Sequence, residues 1–410
     1  MNRYKIDREK FYSKIENFWP DLYGEEYALY DISSIDKREL DAIRLCTHKA
    51  GLVFFKVCEL LRNADSHTLL EMGFPKETLD FLQLKTIRPE TVIARLDLIQ
   101  TNNTYKVIEI NSDTPTFIKE LFHVNGLAAR EFGYADPNDG AEDHLANAVR
   151  ESIHETARWL EEVEPFVVFT AHEDNIEDRN TVLYLQRLYG LPAKFIPLNH
   201  LRIEPGKGLF DDNGRKIDIL YRQTFPIESL IMDEDSSGNK IGQWLLDLVI
   251  EKKLAVINPP SAFLLQNKSV LAVIWGLHER GDSFFTEEEH SWIEEYFLPT
   301  YLEPDTFLLK QSPFVKKPIF GREGDTVQIF SPAGKLLLEE AQKTYSDVPS
   351  IYQQFLKLPR TNYQSEKGMQ IGHKLIGSFL INGKPSAIGF RVGGEITNNL
   401  SCYLPAGLSR

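Results

Sequence analysis

Apolar and polar residues alternate along residues 94–100 (ARLDLIQ) and again along residues 105–111 (YKVIEIN). The polar turn TNNT separates the two stretches. Side chains of a β-strand point alternately to its two faces, so this pattern predicts a β-hairpin. The hairpin groups six side chains on shared faces: Arg95, Asp97 and Ile99 on the first strand, and Val107, Glu109 and Asn111 on the second.

Helical periodicity surrounds this hairpin. Residues 39–63 carry apolar side chains at three- and four-residue spacing, which predicts one long helix with Cys46 and Cys58 in its core. Residues 117–133 and 141–163 show the same period. We therefore expect residues 1–90 to be helical, with further helices after the hairpin.

Residues 166–203 combine an apolar strand, a helix and a second strand, which is typical of a βαβ unit in a parallel sheet. Ligands of such sheets bind at the carboxyl ends of the strands, where residues 172–178 would lie. A solvated acidic loop would have the same composition, and composition alone favours that interpretation.

Length, charge and cysteine usage narrow the class of protein. A chain of 410 residues exceeds a typical single core, so two or three domains, possibly interleaved, are expected. A net charge of −14 disfavours nucleic acid and anionic membranes, and suits a cationic partner such as a polyamine. The three cysteines have no C-x-x-C spacing, which suits a reducing compartment. The N-terminus is charged, and there is no run of roughly 20 apolar residues. We therefore expect a cytoplasmic protein without a membrane partner.

The hairpin also carries candidate chemistry. If the two faces coincide, Asp97, Glu109 and Asn111 converge as a set of hard oxygen ligands that suits Mg²⁺ and substrate phosphates. Arg95 beside them can take an anionic oxygen. Thr114 and Thr116, in a turn after the second strand, can donate hydrogen bonds. A solvated strand face with ordinary charges would show the same spacing.

Two segments of the C-terminal half suit phosphate binding. Lys317 and Arg322 flank glycines in the segment KPIFGREG, whose backbone can approach a phosphate closely. A ligand-free glycine-rich hairpin would look the same, and the P-loop motif is absent. Lys268 begins a predicted helix, where its charge is mildly unfavourable against the helix dipole, which weakly supports a phosphate partner.

These motifs together resemble the glutathionylspermidine synthase family of ATP-grasp ligases. The R-x-D strand followed by E-x-N-x-D is similar to the metal-binding hairpin of that family, and E-x-N is similar to a segment of eukaryotic glutathione synthetase. Three further motifs follow in the family's order: N-K at residues 267–268, K-P-x-x-G-R-x-G from residue 317, and the segment IYQQFLKLP. The resemblance covers the chain from about residue 20 to its end.

The resemblance implies roles for individual residues. Asp97, Glu109 and Asn111 would bind Mg²⁺, and Arg95, Thr114 and Thr116 would lie where the carboxylate substrate and ATP phosphates meet. The implied ATP-binding residues are Arg95, Lys268, Lys317, Arg322, Gly324, Gln353, Gln354, Leu356 and Arg391. Arg391, Arg95 and Arg322 would be catalytic. Glu177 and Asp178 would contact substrate, with Glu173 and Asp174 as the other possible placement.

The implied architecture is α/β (α+β): an ATP-grasp fold with an interleaved pre-ATP-grasp βαβ substrate domain and a helical N-terminal region. We expect four segments: the helical region 1–90, the metal and substrate hairpin 91–140, the substrate domain 141–255, and the nucleotide lobes 256–410. A synthetase without an amidase domain is expected, as a monomer or homodimer.

The implied activity is ATP-dependent joining of a carboxylate to an amine through an acyl phosphate. The family's remaining tripeptide-binding residues are not recognisable, so the acid and the amine can differ from glutathione and spermidine. Two alternatives stay open: a catalytically silent homologue that binds a nucleotide or peptide, and a small-molecule kinase. The intact set of charged motif residues argues against the silent homologue.

Overall fold

The computed structural model describes residues 3–102 and 104–409. Its α-helices are α1 (Arg3–Tyr12), α2 (Lys37–Arg62), α3 (Ser66–Glu71), α4 (Leu79–Leu82), α5 (Asn125–Glu131), α6 (Ala141–Leu160), α7 (Ile176–Tyr189), α8 (Ile227–Leu230), α9 (Ile241–Ile250), α10 (Pro260–Gln266), α11 (Ser269–Glu279), α12 (Glu287–Tyr296) and α13 (Asp305–Leu309). Short 3₁₀ helices span Lys76–Thr78 and Leu198–His200, and a π-helical turn spans Glu120–Val124.

The strands are β1 (Asp21–Leu22), β2 (Glu25–Glu26), β3 (Ser33–Ile35), β4 (Ile93–Gln100), β5 (Tyr105–Asn111), β6 (Val167–Ala171), β7 (Lys194–Phe195), β8 (Arg202–Glu204), β9 (Gly208–Phe210), β10 (Lys216–Ile217), β11 (Ile219–Gln223), β12 (Ala255–Ile257), β13 (Thr300–Tyr301), β14 (Phe314–Pro318), β15 (Gln328–Phe330), β16 (Leu336–Glu339), β17 (Ser350–Gln354), β18 (Arg360–Ser365), β19 (Gly368–Ile381), β20 (Lys384–Gly393), β21 (Cys402–Leu404) and β22 (Ala406–Leu408).

Three sheets position the rest of the molecule. The central sheet is antiparallel with the order β21-β20-β19-β4-β5, and β18 also pairs with β19. The outer sheet is antiparallel with the order β13-β17-β14-β15-β16. The parallel sheet has the order β12-β11-β6-β7. This mixed architecture confirms the predicted α/β (α+β) class.

The predicted hairpin is confirmed as β4 and β5, although Asn103 of its turn lies outside the described residues. One detail of its pattern is wrong. A β-bulge shifts the register between Asp97 and Leu98, so Val107 pairs with Leu98 and packs in the core, while Glu109 pairs with Asp97. A bulge inserts one extra residue, and side chains beyond it change face.

The predicted βαβ unit is confirmed, since β6 pairs in parallel with β7 across the intervening α7. The long helix predicted over residues 39–63 is α2. It begins two residues earlier because Asp36 and Glu39 form a capping box. The region 1–90 is not purely helical, because it also contains β1, β2 and β3.

The hydrophobic core lies on both faces of the central sheet. Leu96 and Leu98 of β4 pack towards α2 and its neighbouring helices. Ile93, on the opposite face of β4, packs with residues of α6 and the parallel sheet. Farther along that second face, Arg95, Asp97 and Ile99 line a cleft instead. One strand therefore carries both core and candidate site residues.

Candidate active site

A cleft lies between the central and outer sheets. Most of the predicted site residues line it: Arg95, Asp97, Glu109, Asn111, Thr114, Thr116, Lys317, Arg322, Gly324, Gln353, Gln354, Leu356 and Arg391. Three predicted residues, Lys268, Glu177 and Asp178, lie outside its lining. The antiparallel sheets thus bring together segments that are up to about 300 residues apart in the sequence.

The hairpin brings its oxygen-bearing side chains together at one wall of the cleft. Asp97 and Glu109 are cross-strand partners, and the Asn111 amide lies 3.5 Å from a carboxylate oxygen of each. Arg95 donates to both oxygens of Asp97, at 2.6 and 3.0 Å. Each carboxylate oxygen has two lone pairs, so Asp97 retains capacity for a further ligand.

Charge is divided unequally between the two carboxyl groups. Burial raises the pKa of Asp97, although Arg95 opposes that effect. Burial also acts to raise the pKa of Glu109, but Lys268, Lys317 and Arg95 outweigh it and hold that pKa at about 2. Glu109 is therefore a carboxylate at neutral pH, because the nearby lysines stabilise its charged form.

The lysines approach Glu109 from two elements. Lys317 of β14 donates to the Gln353 side chain at 2.9 Å and to the Ile108 carbonyl at 3.3 Å. Burial, together with nearby Lys268, lowers the pKa of Lys317 to about 8 despite the attraction of Glu109. Lys268, at the start of α11, is buried behind the cleft. Its Nζ donates to the Gly321 carbonyl at 2.8 Å and lies 3.6 Å from Glu109.

The segment after β14 bends over the cleft. Arg322 donates to the carbonyl and to the hydroxyl of Thr114. Gly324 has φ +72°, and a Cβ there would lie 2.6 Å from the Thr397 carbonyl oxygen. Both the left-handed backbone and the close approach therefore require glycine at this position.

Sequence reasoning missed the residues that hold the turn 112–116. Asp113 forms a buried ion pair with Arg222 at the end of β11. Gln223 donates to the carbonyls of Thr114 and Pro115 at 3.1 and 3.2 Å, and the Gln266 side chain accepts from the Ser112 and Asp113 amides at 2.9 and 3.2 Å. The parallel sheet and α10 thus fix the turn. The available signal was Asp113, the last residue of the motif E-x-N-x-D, because the sequence analysis gave its carboxylate no role.

A small acidic pocket opens beside the cleft. It is lined by Leu22, Tyr23, Tyr27, Thr116, Phe117, Glu177, Glu323, Arg391 and Asn399. Burial and the neighbouring acids Glu120 and Asp178 raise the pKa of Glu177 well above its ordinary value, although Arg391 opposes them. Burial raises the pKa of Asp178 to about 6, against the attraction of Arg322. Both residues begin α7, whereas Glu173 and Asp174 line a different cavity.

The far end of the cleft is apolar. Ile99, Leu358 and Leu375 form a small buried cluster, against which Ile108 and Leu356 pack. Gln353, Gln354 and Phe355 line the same cleft. A flat heteroaromatic group can be enclosed there between apolar walls, with hydrogen-bonding groups at its edge.

Within residues 3–102 and 104–409, no group of three or more His, Cys, Asp or Glu side chains has the arrangement of a metal site. The candidate set contains two carboxylates and one amide, so substrate oxygens and water would have to complete the coordination of Mg²⁺. In the same part of the chain, no helix combines the length and apolarity that crossing a bilayer requires.

The chain is similar to known proteins over most of its length. A family model described as "Glutathionylspermidine synthase preATP-grasp" matches residues 8–409. A protein of Haemophilus influenzae named "Putative acid--amine ligase" is 21% identical over 406 residues, which cover 95% of this chain and 90% of that protein. The bifunctional glutathionylspermidine synthetase/amidase of Escherichia coli is 22% identical over 364 residues, which cover 82% of this chain and 53% of that protein.

A solved structure shares the fold. The glutathione synthetase-like effector GSS30 from Globodera pallida, in its apo form, aligns with a TM-score of 0.61 and 15% identity. The alignment covers 98% of this chain and 96% of the effector.

Proposed function

The chain belongs to the glutathionylspermidine synthase preATP-grasp family, and from this premise we propose that it is an ATP-dependent ligase that joins a carboxylic acid to an amine. The observation that carries the proposal is the convergence of Asp97, Glu109 and Asn111 with Lys317 and other cations at one cleft. The acid and the amine would both be small molecules. The three free cysteines suit a reducing compartment such as the cytoplasm.

The charges around the cleft fit a nucleotide triphosphate with Mg²⁺. Lys317 has a lowered pKa because its buried positive charge is incompletely compensated, and an anion beside it would relieve that cost. Glu109 is ionised and, with Asp97 and the Asn111 amide, would hold Mg²⁺, which when bound neutralises phosphate charge. The apolar cluster at the other end suits the adenine ring, with Gln353, Gln354 and Leu356 at its edge.

The acid would lie between the phosphates and the turn 112–116. Arg95 and Thr116 line the cleft at this place, and the one N–H of the Arg95 guanidinium that neither Asp97 nor Thr116 accepts can bind a carboxylate oxygen of the acid. One carboxylate oxygen attacks the γ-phosphorus, the bond to the bridging oxygen breaks, and ADP leaves. Lys268, Lys317, Arg322 and Arg391 stabilise the charge that develops on the transferred group.

The amine would enter through the acidic pocket. Glu177 and Glu323 attract an ammonium group there, and Thr116 and Arg391 border both the pocket and the cleft. The ammonium group first gives a proton to a carboxylate of the pocket, for which Glu177 with its raised pKa is suited. The uncharged amine then attacks the acyl carbon, the bond to the phosphate oxygen breaks, phosphate leaves, and the second proton of the nitrogen passes to solvent. The loop 321–324 over the cleft would limit hydrolysis of the acyl phosphate by water.

An oxygen-transfer experiment tests this function. The enzyme is supplied with ATP, Mg²⁺, an ¹⁸O-labelled acid and an amine, over a panel of short peptides, amino acids and polyamines. We expect ADP release to require both substrates, with one ¹⁸O in the phosphate and an amide detected by mass spectrometry. Retention of all ¹⁸O in a phosphorylated acid would show a kinase, and no ADP with any pair would contradict a ligase.

A further inference from the structure

The ammonium group of Lys317 is held by two acceptors that belong to different sheets. Its Nζ donates to the Gln353 side chain of the outer sheet at 2.9 Å, and to the Ile108 carbonyl of the central sheet at 3.3 Å. A lysine ammonium group has three N–H donors, so one is left after these two bonds. Lys317 lines the cleft, where that donor can meet a phosphate oxygen. The direction of the remaining N–H therefore depends on both acceptors.

The Gln353 amide can accept from Lys317 only when its oxygen, and not its nitrogen, faces the ammonium group. Rotation of the amide by 180° would exchange these two atoms. Thr300 decides between the two orientations. Gln353 Nε2 donates to Thr300 Oγ1 at 3.3 Å, and the Thr300 hydroxyl donates to the Leu298 carbonyl at 2.9 Å. Because the hydroxyl proton is used in the bond to Leu298, Thr300 presents lone pairs to Gln353, and only the amide nitrogen can donate to them.

Three neighbouring strands place these side chains on one face of the outer sheet. Thr300 of β13 is the cross-strand partner of Gln353 of β17, and Gln353 is the partner of Val315 of β14. Lys317 lies two residues beyond Val315, so it points to the same face. Thr300 and Gln353 are each only 1% exposed, which leaves protein groups to satisfy their polar atoms. Thr300 lies behind Gln353, outside the described lining of the cleft.

We propose that Thr300 is a positioning residue for Lys317: it fixes the Gln353 amide so that Lys317 directs its remaining N–H at the ATP phosphates. The inference rests on the proposed ligase function. Thr300 does not touch the nucleotide and acts through two successive hydrogen bonds. Without its hydroxyl, the amide would lose the bond that selects its orientation. The turned amide would present its N–H groups to the Lys317 ammonium group, which has no acceptor for them.

The same contact supports the positive charge of Lys317. Burial lowers the pKa of this lysine to about 8. The other charged groups around it are Glu109 and Asp97 of the hairpin, which raise its pKa, and Lys268, which lowers it. Turning the amide leaves those charges in place but removes an acceptor that stabilises the ammonium form. The pKa of Lys317 would therefore fall further, and its charge would be lost at a lower pH.

Thr300→Val tests this, because it removes the hydroxyl and keeps the shape of the side chain. We expect the KM for ATP to rise at least about tenfold and kcat to change less than about threefold, since a hydrogen bond to a charged group is affected. The fall of kcat/KM at high pH should begin about one pH unit lower. Thr300→Ser keeps the hydroxyl and should rescue both the KM and the pH profile.

Thr78→Val is the matched control. The buried Thr78 hydroxyl also donates to a backbone carbonyl, that of Pro75 at 2.7 Å, and it lies outside the described lining of the cleft. This variant should lose a similar hydrogen bond without changing the KM for ATP or the pH profile. Equal KM values for Thr78→Val and Thr300→Val would overturn the inference.

A second background tests the amide directly. Gln353→Glu presents an oxygen to Lys317 in either orientation, so Thr300→Val added to Gln353→Glu should change the KM for ATP less than about twofold. A merely structural role of Thr300 would cost as much in this background as in the wild type. A cost that persists would therefore overturn the inference.

Labelling without a nucleotide separates this inference from the ligase proposal. Acetic anhydride acylates the uncharged form of a lysine, and mass spectrometry can follow Lys317 between pH 6 and 9.5. We expect the labelling midpoint of Thr300→Val to lie about one pH unit below that of the wild type and of Thr78→Val. That result, in a protein for which no acid supports ADP release, would keep the inference and end the ligase. An unmoved midpoint would overturn the inference, whether or not the protein makes an amide.

Discussion

At the scale of single residues, the proposed Mg²⁺ ligands differ in how firmly they hold a negative charge. Glu109 faces Lys268 and Lys317, which keep its pKa at about 2, whereas burial raises the pKa of Asp97. The two groups are close enough to titrate as a pair. Glu109 is therefore the reliably ionised member, and the one whose removal should affect catalysis most.

The first prediction concerns Glu109→Gln. The substitution keeps the shape but removes the charge, so we expect kcat to fall at least about 100-fold. The neighbouring lysines would lose their counter-charge, and the free energy of unfolding should fall by about 1–3 kcal/mol without loss of cooperative folding. ADP release and urea unfolding measure both effects. Glu164→Gln, at an exposed carboxylate, is the control; equal activity of the two variants would leave Glu109 without a catalytic role.

The second prediction concerns the pH dependence of ATP use. Lys317 has a pKa lowered to about 8, mainly by burial, so it loses its positive charge as the pH rises through 8. Only the charged form attracts phosphate, and we expect kcat/KM for ATP to fall above about pH 8. Lys317→Arg keeps its charge at all these pH values and should move the fall upwards. An identical profile for both proteins, measured between pH 6.5 and 9.5, would assign the fall to another group.

At the scale of elements, the turn 112–116 depends on contacts that cross the molecule. Arg222→Met would leave Asp113 buried without its cation. We expect the free energy of unfolding to decrease by about 3–5 kcal/mol, and the double variant Asp113→Asn/Arg222→Met to recover part of it. Urea unfolding of all variants measures the coupling.

The exposed pair Lys37 and Asp41 provides the comparison for this ion pair. Lys37→Met should change the free energy of unfolding by no more than about 0.5 kcal/mol, since surface pairs contribute little. If Arg222→Met cost no more than Lys37→Met, the buried pair would not be what anchors the turn.

The loop over the cleft gives a fourth prediction, on Gly324→Ala. Both Gly324 and Gly281 have positive φ, at +72° and +61°, but only at Gly324 would a Cβ meet the backbone of another segment. Each alanine variant should lose about 1 kcal/mol of stability from backbone conformation. Only Gly324→Ala should also lose turnover, by at least about tenfold, because the loop would be displaced. Thermal unfolding and ADP release distinguish the variants, and equal kcat values would contradict a role in closure.

The sequence predicted elements and local clusters better than long-range partners. Alternation along β4 and β5 was enough to predict the hairpin and the meeting of Asp97 with Glu109. It could not reveal the bulge, because one inserted residue leaves no distinct pattern, and Val107 was therefore placed on the wrong face. Nor does a sequence show that Arg222 pairs with Asp113, since only tertiary folding brings these residues together.

At the scale of the whole molecule, chain segments that are far apart share one sheet. β4 and β5 of residues 93–111 pair with β19, which lies within residues 368–381. β3 pairs with β22 near the other end of the chain. The segments 1–90, 91–140, 141–255 and 256–410, which we still propose as units of the sequence, are therefore interleaved where the structure describes them.

The fifth prediction follows from this arrangement. Residues 256–410 expressed alone would expose the edge of β19 that β4 covers, together with Phe379 and Leu380, which are fully buried in the whole chain. We expect this fragment to lack cooperative unfolding, and co-expression with residues 1–255 to restore a folded complex. Circular dichroism during heating and co-purification are the measurements. Independent cooperative folding of the fragment would show that residues 256–410 form a self-sufficient domain.

The pairing of β4 with β19 also orders events during synthesis. Ile376 must reach Leu98, so the wall that carries Arg95 and Asp97 stays incomplete until β19, which lies more than 260 residues after β4, has left the ribosome. Until then the edge of β4 that pairs with β19 is exposed in the nascent chain. Exposed strand edges promote aggregation, and chaperones commonly bind such chains. A message cut short before that point would yield a product with the β4–β5 hairpin in place and no working centre.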